Sequence, residues 1–187
     1  MKAVLILIAL VLSLPSIAMA EEEKANPRLA CEAASLVLKD MRYVEGKTAA
    51  PGDFSHPKVE ARLQRCMKVA LLAAPHGEKV MLASIAIAYN ETNFRSKVKG
   101  SAGEVGMMQV MPKHHCKPYK DLNNGSGGCT NPELAGVRLI RFLLNKYSIN
   151  RSFRYYNGGQ KYADKVEVFF KVIRRSYHRQ QVKLAKR

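Results

Sequence analysis

Acidic residues are scarce in this chain: 15 Asp and Glu stand against 31 Lys and Arg over 187 residues, giving a formal net charge of +16. No carboxylate follows Glu167, while residues 171–187 carry seven Lys and Arg. So one-signed a surface selects for anionic partners, whether nucleic acid, anionic lipid or an acidic wall polymer. Strand-like alternation is nearly absent, which argues against a β fold, and heptads are not sustained, which argues against a coiled coil. Internal repeats and low-complexity tracts are missing as well, so neither a solenoid nor a long disordered linker is expected.

The long apolar run is confined to the start. Lys2 precedes an apolar stretch from Ala3 to Leu14, and Ala18-Met19-Ala20 forms a small-x-small site before Glu21. The pattern predicts a secretory signal peptide over residues 1–20, cleaved after Ala20, and it is too short for a confident membrane span. An uncleaved anchor is the competing reading. Leu29-Ala30-Cys31 resembles part of a lipoprotein box, but Arg28 and the charged Glu21-Glu22-Glu23-Lys24 separate it from the apolar run, so lipidation is rejected. The mature chain, at +15 without Lys2, is then an exported, periplasmic or extracellular protein of one domain. Export also argues against a nucleic-acid partner. Tyr155-Tyr156 has basic neighbours, yet no nucleic-acid motif accompanies the pair.

Only four cysteines are present: Cys31, Cys66, Cys116 and Cys129. In an oxidising compartment they predict two disulfides, with three connectivities open. Cys116 with Cys129 is the local choice and would close the polar loop at residues 121–128. A loop of that size gains roughly 3 kcal/mol from closure. Cys31 with Cys66 would then tie two N-terminal helices together. A metal site at His114, His115, Cys116 and Cys129 is the alternative, but adjacent histidines point differently and no second close cysteine follows. No metal and no cofactor is expected.

The chain reads as mainly α. A helix is predicted over about 28–43, a loop over 45–54, and a second helix from Pro57 with Ser55 as the expected cap. Pro75-His76-Gly77 breaks the chain. A third helix follows from about Glu78 to Glu91, apolar on nearly all sides and therefore central. Residues 95–105 read as a basic, glycine-containing linker, and Gly106–Val110 as the start of a short helix that Pro112 ends. Asn131-Pro132-Glu133 opens another helix. A short one over about 150–157 stops at Gly158-Gly159, and the last begins near Lys161. The apolar stripe of that last helix is expected to pack into the core, with its basic side free for an anionic surface.

Chemistry gathers around Glu91. A carboxyl where an apolar helix runs out, near the negative end of the helix dipole and with Phe94 beyond, should have a raised pKa. Such a group stays protonated near neutrality and can donate to a leaving oxygen. Gly100, Gly103 and Gly106 follow at a spacing of three, letting backbone approach a ligand closely. Gln109 can both donate and accept toward a sugar hydroxyl or N-acetyl group. Of Met107, Met108 and Met111, at least one is expected to face the cleft, the others filling the core.

Three blocks occur in order: Glu91-Thr92-x-Phe94, then Gly103-x-x-Gly106-x-Met108-Gln109-x-Met111-Pro112, then Tyr155-Tyr156-Asn157-Gly158-Gly159. Together they resemble the soluble lytic murein transglycosylase family, over roughly residues 76–170. The resemblance implies a single lysozyme-like helical domain there; outside it, the chain's own pattern gives an N-terminal helical extension at 21–75 packed on that domain and a basic C-terminal helix or tail at 171–187. It implies Glu91 as sole catalytic acid/base, with Thr92, Ser101, Gly106, Met108, Gln109, Met111, Tyr156 and Asn157 around the substrate. Tyr156 would hydrogen-bond Glu91 or position substrate, and Asn157 would fix the adjoining turn. The chain departs from the family at Gly100, where Ser is common; Ser101 is one step on. Glu104 also fills a place usually small or variable. The implied activity is non-hydrolytic cleavage of the MurNAc-GlcNAc bond of peptidoglycan to 1,6-anhydroMurNAc ends. The alternatives are a lysozyme-type hydrolase with Glu104 or Asp121 as second carboxylate, or an inactive basic wall-binding protein. Expected partners are peptidoglycan, an anionic envelope surface, and a secretion, conjugation or phage assembly.

Overall fold

The structure, a computed structural model, describes residues 25–116 and 129–187. The expected signal segment, Asp121 and the polar loop at 121–128 lie outside these residues. The described chain is mainly helical: α1 Pro27–Val37, α2 Pro57–Ala73, α3 Glu78–Thr92, α4 Pro112–His115, α5 Pro132–Lys146, α6 Ile149–Asn157 and α7 Gln160–Ala185. A two-stranded antiparallel hairpin, β1 Tyr43–Val44 and β2 Lys47–Thr48, pairs Tyr43 with Thr48 and Val44 with Lys47.

Start signals behave as their chemistry dictates. Asn26 and Asn131 each accept the backbone N–H three residues on, at 3.0 and 3.1 Å, with proline at the first helical position. At α2 the cap is His56, whose Nδ1 accepts from Lys58 N at 3.2 Å, and not the expected Ser55. The helix expected over 28–43 ends at Val37 and continues as a 3-10 turn, Lys39–Arg42. Arg42 holds that turn: buried, it donates to the carbonyls of Ser35 and Ala49, which lie on either side of the hairpin's entry. The segment expected as a loop over 45–54 therefore begins inside the hairpin.

α3 is the central helix. Every residue from Val80 to Ala88 is buried, against α1, α2, α5 and α7. The disulfide Cys31–Cys66 staples α1 to α2 across that core, and Cys116 is bonded to Cys129. Cys116–Cys129 is the local pairing expected, and Cys31–Cys66 the one that then follows. The two sulfurs proposed as metal ligands are thereby consumed. One contiguous core runs from Leu29 to Tyr177, so α1 and α2 share it with the later helices. α7 runs unbroken through position 171, and its buried face ends at Tyr177. No described helix is long and apolar enough to cross a membrane.

Candidate active site

Glu91 is the second-last residue of α3, and the chain reverses directly after it. Asn93 and Phe94 both adopt left-handed backbone, φ 49° and 58°, an uncommon state for residues with side chains. The reversal is clamped from several sides. Asn93 N donates to Tyr89 O at 2.8 Å, Arg65 donates to the Phe94 carbonyl, and the fully buried Phe94 ring packs 6.4 Å from that of Tyr89. Such strain persists only where surrounding packing over-determines it.

The glycine-containing segment folds back over this corner. Lys99 bridges Val105, and Val105 bridges Val110, with Val105 N donating to Val110 O at 3.0 Å and the reverse bond at 3.1 Å. Residues 106–109 are thus the turn of a tight hairpin, not the helix expected there, and Pro112 starts α4 instead of ending one. Gly106 has φ 77°, and a Cβ on it would lie 2.6 Å from Pro132. Only glycine fits that place. Beneath the same turn the buried Glu133 carboxylate accepts from Met107 N at 3.2 Å and pairs with Lys68 at 3.2 Å.

Several residues expected at the substrate take other parts. Thr92 is buried, and its hydroxyl lies 3.0 Å from the Met107 carbonyl and 3.3 Å from that of Ala88. It fastens the hairpin to α3 and cannot reach a ligand. Met108 is fully buried against Gly136, where a Cβ would come within 2.8 Å of its sulfur. Of the three methionines only Met111 is partly exposed. Tyr156 donates to the Met108 carbonyl at 2.9 Å, so it braces the hairpin and does not hydrogen-bond Glu91. Gly106, Thr92, Met108 and Tyr156 are accordingly the frame of the site. Gln109, half-buried, spends its amide nitrogen on the carbonyls of Val98 and Gly106, at 3.2 and 2.8 Å. Its oxygen lies above Gly100, where a Cβ would meet it at 2.8 Å. Ser101 is exposed in the 100–104 turn, between Lys99 and its bridge partner Val105.

The groups that do face Glu91 come from α6, α7 and the 99–110 segment. Asn157 Nδ2 donates to Glu91 Oε1 at a long 3.4 Å. The buried Tyr162 hydroxyl lies close enough to act on the carboxyl, though the pair lacks ordinary hydrogen-bond geometry. Glu104, whose Oε2 accepts from Ala102 N at 3.0 Å, faces Glu91 as a like charge, and Lys165 as an opposite one. Burial raises the Glu91 pKa most, and Glu104 adds to it; Tyr162, Asn157 and Lys165 pull it back. Desolvation wins, leaving the Glu91 pKa above its ordinary value. Tyr162 and Tyr156 are both held well above the usual phenol value by burial, with the Glu91 charge adding to it, so both stay protonated as donors.

Sequence reasoning missed Tyr162, Lys165 and Glu133. Tyr162 reads as one more apolar position on the α7 stripe; its hydroxyl was the only hint. Glu133 reads as a helix start, and only the fold brings it under the hairpin.

The arrangement can protonate a leaving oxygen and then receive a proton back on the same carboxyl, with neutral donors alongside. No curated protein and no solved structure matches the chain. The family model of the transglycosylase SLT domain matches residues 73–168, just over half of the chain, and takes in every residue named at Glu91. The chain therefore belongs to the transglycosylase SLT domain family, and its activity is of the lytic-transglycosylase type, directed at peptidoglycan.

Proposed function

We propose that this protein cleaves the bond between N-acetylmuramic acid and N-acetylglucosamine without water, using Glu91 as its single acid/base. The observation that supports this most is a half-buried carboxyl with a raised pKa at the end of α3, faced by neutral donors. Protonated Glu91 delivers its proton to the glycosidic oxygen as the C1–O bond breaks. The muramyl N-acetyl oxygen shields the developing cation, a role that ordinary two-carboxylate glycosidases give to a side chain. Ionised Glu91 then takes the proton of the same sugar's C6 hydroxyl, whose oxygen bonds C1 and closes the 1,6-anhydro ring. The enzyme ends as it began, and bonds and protons balance. Tyr162 and Asn157 steady the transient carboxylate; with Lys165 they are the groups that lower its pKa. Gln109 Oε1, the exposed Ser101 and the partly exposed Met111 just beyond the hairpin are the groups that would meet the sugar.

One observation favours a second reading. Glu104 lies close enough for its charge to raise the Glu91 pKa, so a hydrolase in which Glu104 activates water is the rival. Either way Glu91→Gln should lower turnover of purified walls at least about 100-fold. A variant that still clears a wall suspension at the wild-type rate removes Glu91 from the mechanism.

The remaining expectations fit an exported enzyme. Cleavage after Ala20 would release it, with no metal, cofactor or nucleic acid needed. Beyond Tyr177, α7 is exposed and basic with no acid, suiting attraction to an anionic envelope surface. A secretion, conjugation or phage assembly would suit an enzyme this small.

A further inference from the structure

Gly100 leaves no room for a side chain, because its neighbours fill the space above it. A Cβ there would collide with Glu104 Oε2 and lie 2.8 Å from Gln109 Oε1, so two acceptor oxygens converge on one point. Each is aimed by bonds to the backbone. Gln109 Nε2 donates to the carbonyls of Val98 and Gly106, at 3.2 and 2.8 Å, which fixes the amide with its oxygen toward Gly100. Glu104 Oε2 accepts from Ala102 N at 3.0 Å, and Gly100 N donates to the Glu104 carbonyl at 2.9 Å, closing the turn. No Lys, Arg or His pairs with the Glu104 carboxylate among the described residues, in a chain with 31 Lys and Arg. Gly100, Glu104 and Gln109 are each partly exposed, so a ligand reaches the two oxygens from solvent.

Two observations place these acceptors at Glu91. The Thr92 hydroxyl, one residue beyond Glu91, donates to the Met107 carbonyl at 3.0 Å and so fastens the turn carrying Gln109 to the end of α3. Glu104 is close enough for its charge to act on the Glu91 carboxyl. An acid without a cation, set beside a second acid, is unfavourable in itself, and donors from a ligand offset that cost. Converging acceptors select a ligand with two adjacent donors. In the glycan, N-acetylglucosamine offers such a pair: the N–H on C2 and the free hydroxyl on C3. In N-acetylmuramic acid the C3 oxygen is an ether, and the pair is broken. Resting on the peptidoglycan reading above, we infer that Glu104 and Gln109 Oε1 form a subsite for the acetamido N–H and C3 hydroxyl of an N-acetylglucosamine unit next to the scissile bond. Glu104 thereby determines which sugar is accepted and is not a base for water. A site built to bond a donor rejects the analogue that lacks it, because its own acceptors are then left unpaired.

The test is a binding titration that does not depend on glycan cleavage. The full mature chain is titrated with a tetramer of N-acetylglucosamine, and separately with the same tetramer methylated at its C3 hydroxyls. Two-dimensional NMR follows the backbone amides of residues 99–110. Saturable shifts at Ala102, Glu104 and Gln109 are expected with the free tetramer, and binding at least about tenfold weaker once the hydroxyls are blocked. Glu104→Ala should weaken the free tetramer at least about tenfold, with the fold unchanged by circular dichroism. Gly100→Ala should weaken it as well while removing neither acceptor. Gly100 is not in left-handed backbone, so alanine suits its conformation and only the two oxygens are displaced. On purified walls Glu104→Ala should raise KM at least about tenfold and keep kcat within about tenfold. Equal binding of the two tetramers, or wild-type binding by Glu104→Ala or Gly100→Ala, overturns the subsite. A fall in kcat of about 100-fold or more with KM unchanged also overturns it, and makes Glu104 a base. If walls are not cleaved at all but the free tetramer binds as expected, the cleavage reading fails while the preference for N-acetylglucosamine stands.

Discussion

Glu91 is pushed toward its protonated form by burial and by Glu104, and pulled back by Tyr162, Asn157 and Lys165. The proposed cycle starts from protonated Glu91, so kcat/KM should fall on the alkaline side as Glu91 ionises. Removing the like charge lowers its pKa; Glu104→Gln should therefore move that limb to lower pH. Lys165→Gln, which removes the opposing cation, should move it to higher pH. In the single-acid mechanism Glu104→Gln keeps its optimum rate within about tenfold, whereas a hydrolase deprived of its base loses roughly 10²–10⁴-fold. A pH–rate profile on purified walls reads both. Glu91 and the blocks around it were legible because their chemistry is local: one acid at the end of an apolar helix, then glycines, then an amide. The frame was not. Thr92 and Tyr156 carry hydroxyls that look ready for a sugar, but the fold aims them at the carbonyls of Met107 and Met108. Only tertiary contact decides between those uses.

The hairpin at 99–110 is positioned by exclusion of side-chain volume as much as by its bonds. At Gly106 a Cβ would meet Pro132 at 2.6 Å in left-handed backbone; at Gly103, also left-handed with φ 93°, nothing lies within 4 Å. Gly106→Ala should accordingly cost roughly 2–4 kcal/mol, strain plus clash, and Gly103→Ala about 1 kcal/mol from backbone strain alone. Urea unfolding of the two variants checks this, and equal losses would contradict the packing described for the turn. Gly106→Ala should also lose activity, because Gln109 and Met107 hang from the same turn. The helices themselves could be read from sequence. Asn26-Pro27 and Asn131-Pro132 announce their starts through capping chemistry, and α3 announces its burial through apolar residues on every side. What could not be read was the Gly106–Val110 stretch. Its glycine and methionines satisfy helical spacing, but the pairing partner of Val110 is Val105, and the buried Glu133 that anchors Met107 lies 26 residues on.

The molecule as a whole is a helical core wrapped on α3, with two disulfides and a strongly basic surface. Cys31–Cys66 spans 35 residues and joins the two helices that precede the family-matched segment. Replacing both cysteines by alanine should cost about 3–4 kcal/mol on the chain-entropy account. A fall in unfolding free energy of that size, with turnover of the folded fraction retained, would separate stapling from catalysis. Unchanged stability would show that α1 and α2 stay docked by packing alone. In the proposed reaction a lone carboxyl breaks a glycan strand with the substrate's own C6 oxygen. Mass spectrometry of purified peptidoglycan digested by the wild-type protein reads the outcome. Muropeptides ending in 1,6-anhydro sugars are expected, each lighter by one water than the corresponding reducing-end product. Muropeptides that instead carry that water would contradict the proposed reaction and give the second carboxylate, Glu104, the role of base.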